Sequence, residues 1–304
     1  MSAGLEIGVG IANYGSAPDA VGIGAMARAV EDAGFDAVWL TDHVVLPRHT
    51  DSRYPFTADG HFSVPAGGVW YEPVATLAYL VGVTRRVRLG IGIVVLPLRD
   101  PRHFAVQLAA VDRLSAGRVQ LGVGAGWLEE EFKALEIPFA GRGERLDGAI
   151  DLVRACWTGD PKAGRYGPFT MPDGMTSLPA PRQEHITLLI AGSGERTLDR
   201  ITARGDGWFG AVSVSGEPGP EEVAGIRRSL GRRFAAAGRD PDLVQMALRV
   251  AVTSRALERG AVAQRLGEYA AAGLSKLIVD FGWKDLEQGT RVLNQLRRDL
   301  SAIG

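Results

Sequence analysis

The sequence predicts a (β/α)8 barrel, and three observations carry that prediction. Eight short apolar segments alternate with eight helical ones along 304 residues, a length that α/β barrels commonly occupy. The apolar segments are continuous rather than alternating, as parallel strands are when both faces are covered. Three of them open into glycine at the same end: Arg88-Leu-Gly-Ile-Gly-Ile-Val-Val-Leu-Pro97, Arg118-Val-Gln-Leu-Gly-Val-Gly-Ala-Gly-Trp127 and Thr187-Leu-Leu-Ile-Ala-Gly-Ser-Gly194. Glycine at a strand exit lets a ligand lie against bare backbone, so the shared end implies one site on one rim. The alternative is a doubly wound open sheet. It usually has fewer strands and a glycine fingerprint at the first strand–helix junction, and Ile11-Ala-Asn-Tyr-Gly15 has no GxGxxG.

The elements follow in order. The first strand is expected over 5–11, then a helix over 19–33 with Asp19 as N-cap and Gly34 as its stop. The second strand covers 37–40 and ends in Thr41-Asp42-His43. A helix over 71–83 leads to the third strand, 87–95, and Pro101 opens the next helix, which runs to 114. The fourth strand is 119–123, and the acidic run Leu128-Glu-Glu-Glu131 after it has a helix-starting composition. A helix over 143–157 precedes the fifth strand, 187–191. The remaining units are a helix over 195–203, a strand over 207–211, a helix over 221–237 stopped by Gly238, and a strand over 244–253. A helix over 259–272, the eighth strand over 274–280 and a last helix over 284–300 complete the set. Two excursions break the rhythm, 44–70 and 159–185. Loops this long usually carry function or lack order, and both read as local insertions in one domain, 1–304.

Composition excludes several classes. At 46% hydrophobic the chain can bury a large core, and its net charge of −1 supplies no overall field for nucleic acid or an anionic membrane. Cys156 is the only cysteine, so neither an internal disulfide nor a cysteine zinc cluster can form, and Val153-Arg-Ala-Cys-Trp157 reads as a helix face with buried filler. No signal peptide opens the chain and no apolar run reaches the ~18 residues of a membrane helix, so a cytoplasmic protein is expected.

Candidate site residues gather on the C-terminal rim. His43, at the mouth beside Asp42, can donate a proton or a hydrogen bond; the plainer reading is a strand-end cap. His43, His49, His61 and Asp51 share a region, but no His-x-His opens the first strand and no His-Glu-x-x-His helix exists, so no metal is expected. Gly90 and Gly92 fit a bulge or close backbone approach as well as simple barrel packing. Ala191-Gly-Ser-Gly194, entering a helix, fits a phosphate-binding nest or an ordinary turn, with Ser193 adding a hydroxyl. Arg48, His49, Arg99, Arg102 and His103 form either a cationic rim for an acidic ligand or a solvated surface paired with Asp51 and Asp100.

Taken together, Ala33-Gly-Phe-Asp-Ala-Val-Trp-Leu-Thr-Asp-His43, the strand-three segment to Pro101, Gln107 through Trp127, Arg142-Gly-Glu-Arg-Leu-Asp147 and Ala191-Gly-Ser-Gly194 resemble the luciferase-like monooxygenase superfamily, specifically its deazaflavin-dependent branch. The resemblance spans essentially the whole chain. It implies a barrel that binds a flavin-type cofactor on the C-terminal rim, with Asp42 and His43 near the tricyclic ring. Gly92, Ile93 and Val94 would form a bulge behind that ring, often with a non-prolyl cis peptide. Ala125 and Gly126 would line the ribityl chain, and Gly192, Ser193 and Gly194 the phosphate. It also implies a homodimer packed through helices near strands two to four. Coenzyme F420 transfers hydride and barely reacts with O2, whereas FMN can pass electrons to O2; the Asp-His pair and cationic rim favour F420, with FMN the alternative.

Three positions depart from the sugar-phosphate dehydrogenases of that branch. Trp127 stands where they carry glutamate, Asn13 or Tyr14 where a second acid is expected, and Val44-Val-Leu-Pro-Arg48 follows the histidine. An aromatic pocket of Trp127, Trp70 and Tyr14 suits a small organic substrate with a C=C, C=N or C=O bond. The leading reading is therefore F420-dependent hydride transfer with His43 or Tyr14 placing the proton. The alternatives are an FMN monooxygenase with a partner reductase, and a flavin-storage barrel, which would need no proton donor.

Overall fold

The computed structural model describes residues 4–55, 59–62, 68–212, 218–252 and 261–301. Eight parallel strands close a barrel in the order β1 (Glu6–Gly10), β12 (Lys276–Asp280), β11 (Gln245–Ala251), β10 (Gly207–Val212), β9 (Leu188–Ala191), β6 (Val119–Gly124), β5 (Arg88–Val95) and β3 (Ala37–Leu40). The helices between them are α1 (Ile23–Asp32), α2 (Pro73–Val83), α3 (Pro101–Leu114), α4 (Glu129–Ala134), α5 (Arg142–Trp157), α6 (Glu195–Arg204), α7 (Pro220–Ala236), α8 (Ala261–Ala271) and α9 (Leu286–Ser301). α2 and α3 start as their sequences dictate: proline occupies N1, and Glu72 and Asp100 accept backbone N–H groups of the first turn.

Two short pairings lie outside the barrel. β2 (Tyr14–Gly15) pairs antiparallel with β4 (Val69–Trp70), and β7 (Gly164–Tyr166) with β8 (Phe169–Met171). The first ties the excursion after β3 to the exit of β1. The second folds part of the 159–185 excursion into a hairpin. The helix expected from residue 19 begins instead as a π-helical turn, Pro18–Gly22, ahead of α1.

The barrel is filled in layers. At its N-terminal end Lys276 Nζ lies 2.9 Å from Glu6 Oε2, and Gln120 Nε2 donates to the same carboxylate at 2.8 Å. A depression of about 610 Å³ at this end includes Glu6, Glu31 and Asp36. The other two carboxylates serve the backbone: Glu31 accepts from Arg85, Arg86 and Val87, and Asp36 from Ile7. Above lies an apolar layer of Ala37, Trp39, Leu189, Phe209, Ala247 and Ile278, with the Trp39 and Phe209 rings 5.6 Å apart. Gly90 and Gly92 belong to it: a Cβ on Gly90 would collide with Trp39, and one on Gly92 with Phe209. Gly90 therefore serves barrel packing, and Gly92 serves it together with the irregularity of β5 that begins at this residue. The larger core lies outside the barrel, between strands and helices.

Candidate functional site

Above the aromatic layer the C-terminal rim becomes polar. Arg249 on β11 donates from Nε to Asp280 Oδ2 on β12 at 2.5 Å and from Nη1 to the Gly92 carbonyl at 2.6 Å. The Gly92–Ile93 peptide is cis, and the register of β5 against β6 shifts between Ile91 and Val94. The expected bulge is thus present. It is gripped from two sides, because Val95 N donates to Asp42 Oδ2 at 2.9 Å. Ile93 is half-buried and packs on the interior layer, whereas Val94 is turned fully into the outer core.

Asp42 and His43 point to different partners, as consecutive residues of an extended chain do. Asp42 takes a bidentate bond from Arg99, at 2.9 and 2.8 Å, in addition to Val95 N. Burial pushes its carboxyl pKa up, against the pull of the Arg99 guanidinium and the Val95 N–H. Arg99 also reaches Glu72 at 3.1 Å. Arg102 is paired with Asp100, which its hydrogen bond and charge hold at about 2 despite partial burial. The expected cationic rim is therefore reduced: Arg99 and Arg102 neutralise internal carboxylates, and Arg48, His49 and His103 remain exposed.

His43 bonds Glu131 instead of Asp42. Its Nδ1 lies 2.8 Å from Glu131 Oε2, and Glu131 Oε1 accepts from Val44 N at 2.5 Å and Val45 N at 3.2 Å. Glu131, on α4, is 1% exposed. The neighbouring Glu130 accepts from Thr50 Oγ1, Asp51 N and Ser52 Oγ at 2.9, 2.7 and 2.7 Å. Burial opposes the charge on Glu130, but these donors outweigh it and bring the pKa down to about 2. Two consecutive carboxylates thus anchor the segment after β3. Sequence reading missed both, since their partners lie some 80 residues away; the acidic helix start was the only signal.

Aromatic rings surround the histidine. Trp70 stands edge-on at 4.9 Å, Trp127 edge-on at 6.2 Å and Phe62 at 5.5 Å. Tyr14 stacks on Trp70 at 4.7 Å, so Trp70 lies against both expected proton donors. Tyr54, also missed, packs on Trp127 and Phe62 at 5.1 Å. Burial raises the Tyr14 hydroxyl pKa, nearby Asp280 adds to the rise and Arg249 opposes it. Asn13, fully buried, serves as a strut: it accepts from Thr41 N and Oγ1 and donates to the Thr41 and Tyr71 carbonyls. Two atoms at this rim are enclosed without a hydrogen-bond partner among the described residues, the Trp70 indole Nε1 and Asp280 Oδ1.

The glycine-rich turn before α6 is exposed. Gly192 and Gly194 have φ of +131° and +81°, and a Cβ on Gly194 would meet nothing within 4 Å. No side chain caps the helix, so its first N–H groups keep their hydrogen-bonding capacity. Glu195 in that turn is paired with Arg233. Ala125 and Gly126 are half-buried beyond β6, and the Gly126 carbonyl accepts from Arg142 Nε at 3.0 Å. Among the described residues no group of three His, Cys, Asp or Glu is placed to hold a metal, and no helix is long and apolar enough to cross a membrane.

Residues 6–298 match the model of the luciferase-like monooxygenase family, and the chain belongs to that family of oxidoreductase enzymes. It is 35% identical over 184 residues to an uncharacterised protein of Mycobacterium tuberculosis, a match covering 60% of this chain and 63% of that protein. The chain thus aligns with somewhat under two thirds of that relative's length. An F420-dependent secondary alcohol dehydrogenase, solved with an F420-acetone adduct, is similar in structure with a TM-score of 0.76, 18% identity and 99% of each chain covered. Monooxygenase RslO1 from Streptomyces bottropensis follows with a TM-score of 0.72, 20% identity and coverage of 98% and 99%. At these identities the two structures confirm the luciferase-like barrel fold.

Proposed function

We propose that this enzyme exchanges hydride between coenzyme F420 and a small organic substrate bearing a C=O, C=C or C=N bond, with His43 handling the proton. The carrying observation is the Glu131-held imidazole inside the aromatic box at the barrel mouth. A flavin-storage barrel has no use for such a group.

The rim fits a flavin-type cofactor on three observations. The uncapped start of α6, with Gly192, Ser193 and Gly194 before it, suits a phosphate. The half-buried Ala125 and Gly126, at the exit of β6, suit a ribityl chain. The enclosed Trp70 N–H and Asp280 Oδ1, without partners among the described residues, suit a planar polar ligand, because buried orphan groups of this kind cost roughly 1–3 kcal/mol each when unmet. When bound, F420 supplies hydride chemistry without activating O2.

The chain's own residues do the rest. Arg249 and Asp42 hold the bulge of Gly92, Ile93 and Val94 from either side, which offers one rigid face at the mouth. Tyr14, its hydroxyl pushed above the usual range, serves as a hydrogen-bond donor and aromatic wall. Proton exchange then falls to the imidazole of His43, whose two ring nitrogens can donate and accept. Trp70, Trp127, Phe62 and Tyr54 exclude water around it.

The FMN-dependent alternative is favoured by one observation: Arg99 and Arg102, two of the cations that would recognise an anionic tail, are already paired. Anaerobic reoxidation of reduced F420 by small ketones and activated alkenes tests the main reading. Turnover without O2 supports it; turnover only with reduced FMN and O2 uptake moves the enzyme to the alternative.

We also propose that the chain acts as one barrel domain and pairs with a second copy through α2, whose exposed face is Ala75, Ala78, Tyr79 and Gly82. Sedimentation velocity at micromolar concentration would show a dimer, and a monomer would refute the pairing.

A further inference from the structure

We propose that Glu131 is a positioning residue that fixes the tautomer of His43 and leaves Nε2 as the ring atom that takes and gives the proton. This rests on His43 being the proton-handling group of the site. Glu131 Oε2 faces His43 Nδ1 at 2.8 Å. A carboxylate only accepts, so the hydrogen of that bond belongs to Nδ1. In a neutral imidazole the other nitrogen is then bare, and Nε2 has no hydrogen-bond partner among the described residues. Proton traffic is thereby confined to one atom, inside the box of Phe62, Trp70 and Trp127.

The second carboxylate oxygen makes the arrangement testable. Oε1 accepts from the backbone N–H groups of Val44 and Val45, the two residues that follow the histidine. Ring and backbone are therefore held by one group. In Glu131→Gln these two donors require the amide oxygen in the place of Oε1. The amide NH2 then falls opposite Nδ1 and can only donate. Nδ1 must become the acceptor, and the ring hydrogen moves to Nε2. An isosteric change inverts the tautomer. A carboxylate that merely anchored the loop would not do this.

Nitrogen-15 NMR of the imidazole in the full chain without cofactor, at a pH where the ring is neutral, reads the tautomer directly. Wild type should carry its ring proton on Nδ1 and Glu131→Gln on Nε2. Glu130→Gln, which alters the anchor at Thr50, Asp51 and Ser52 but does not touch His43, should match wild type. In turnover, Glu131→Gln should lower kcat by about 10²-fold or more with little change in KM. A wild-type proton on Nε2, or an unchanged tautomer in Glu131→Gln, overturns the proposal; the wild-type spectrum decides even if the variant does not fold. These ring measurements need no cofactor. Failure to bind F420 would therefore strike the functional reading and leave the tautomer result standing.

Discussion

At the residue scale, Trp70 has Tyr14 against one part of its surface and His43 against another, and the proposed function gives the proton to His43. Replacing His43 with Ala should slow turnover by roughly 10²–10⁴-fold, the usual worth of general acid–base catalysis, with a much smaller loss of cofactor affinity. Equal losses in both, measured by steady-state kinetics and binding titration, would assign His43 to binding instead. Asp42, expected beside the cofactor ring, also secures the bulge and neutralises Arg99. Arg99→Met would strand that fully buried carboxylate and should cost about 3–5 kcal/mol of stability by chemical denaturation. An unchanged unfolding midpoint would remove Asp42 and Arg99 from the framework. The importance of Asp42-His43 could be read from its place at a strand exit. The partner of His43 could not, since Glu131 meets it only after the chain has closed half of the barrel.

At the scale of elements, periodicity carried most of the prediction, and the exceptions share a cause. β3 and α3 fall on their expected bounds because apolar runs, prolines and caps agree locally. The pairings of β2 with β4 and β7 with β8 escaped notice because segments of two or three residues carry no period to detect. The strand-three glycines matched two uses, and the structure holds both: Gly90 and Gly92 make room for Trp39 and Phe209, and Gly92 also opens the bulge. Gly90→Ala would drive a Cβ into the Trp39 ring and should destabilise the barrel by about 1–3 kcal/mol, read from denaturant titration. A neutral result would show the interior layer to be compliant. α4 contributes through charge as well. Glu130 is held at about 2, below the ~4.3 of a free glutamate, so it stabilises the native state fully above that higher value. The contribution fades as pH falls toward 2. The stability difference between wild type and Glu130→Gln should therefore be constant near neutrality and vanish in acid. A difference that keeps its neutral-pH size at pH 2 would contradict the assignment.

At the scale of the molecule, closure of the barrel brings β1 and β12, its first and last strands in sequence, into direct register. Closure is what gathers Tyr14, His43, Trp70, Trp127, Arg249 and Asp280, spread over 267 positions of sequence, onto one rim. Eight strand–helix units and a family resemblance made the barrel legible. The chemistry of the rim was legible only as residue types, because pairing decides which charges stay available, and Arg99 and Arg102 proved to be committed. Cofactor identity is thus the hinge of the whole account. Titration of the purified protein with oxidised F420 and, separately, FMN, followed by tryptophan fluorescence, tests it most directly. Saturable binding of F420 with much weaker binding of FMN is the expected result. Preference for FMN, or binding of neither, would contradict it.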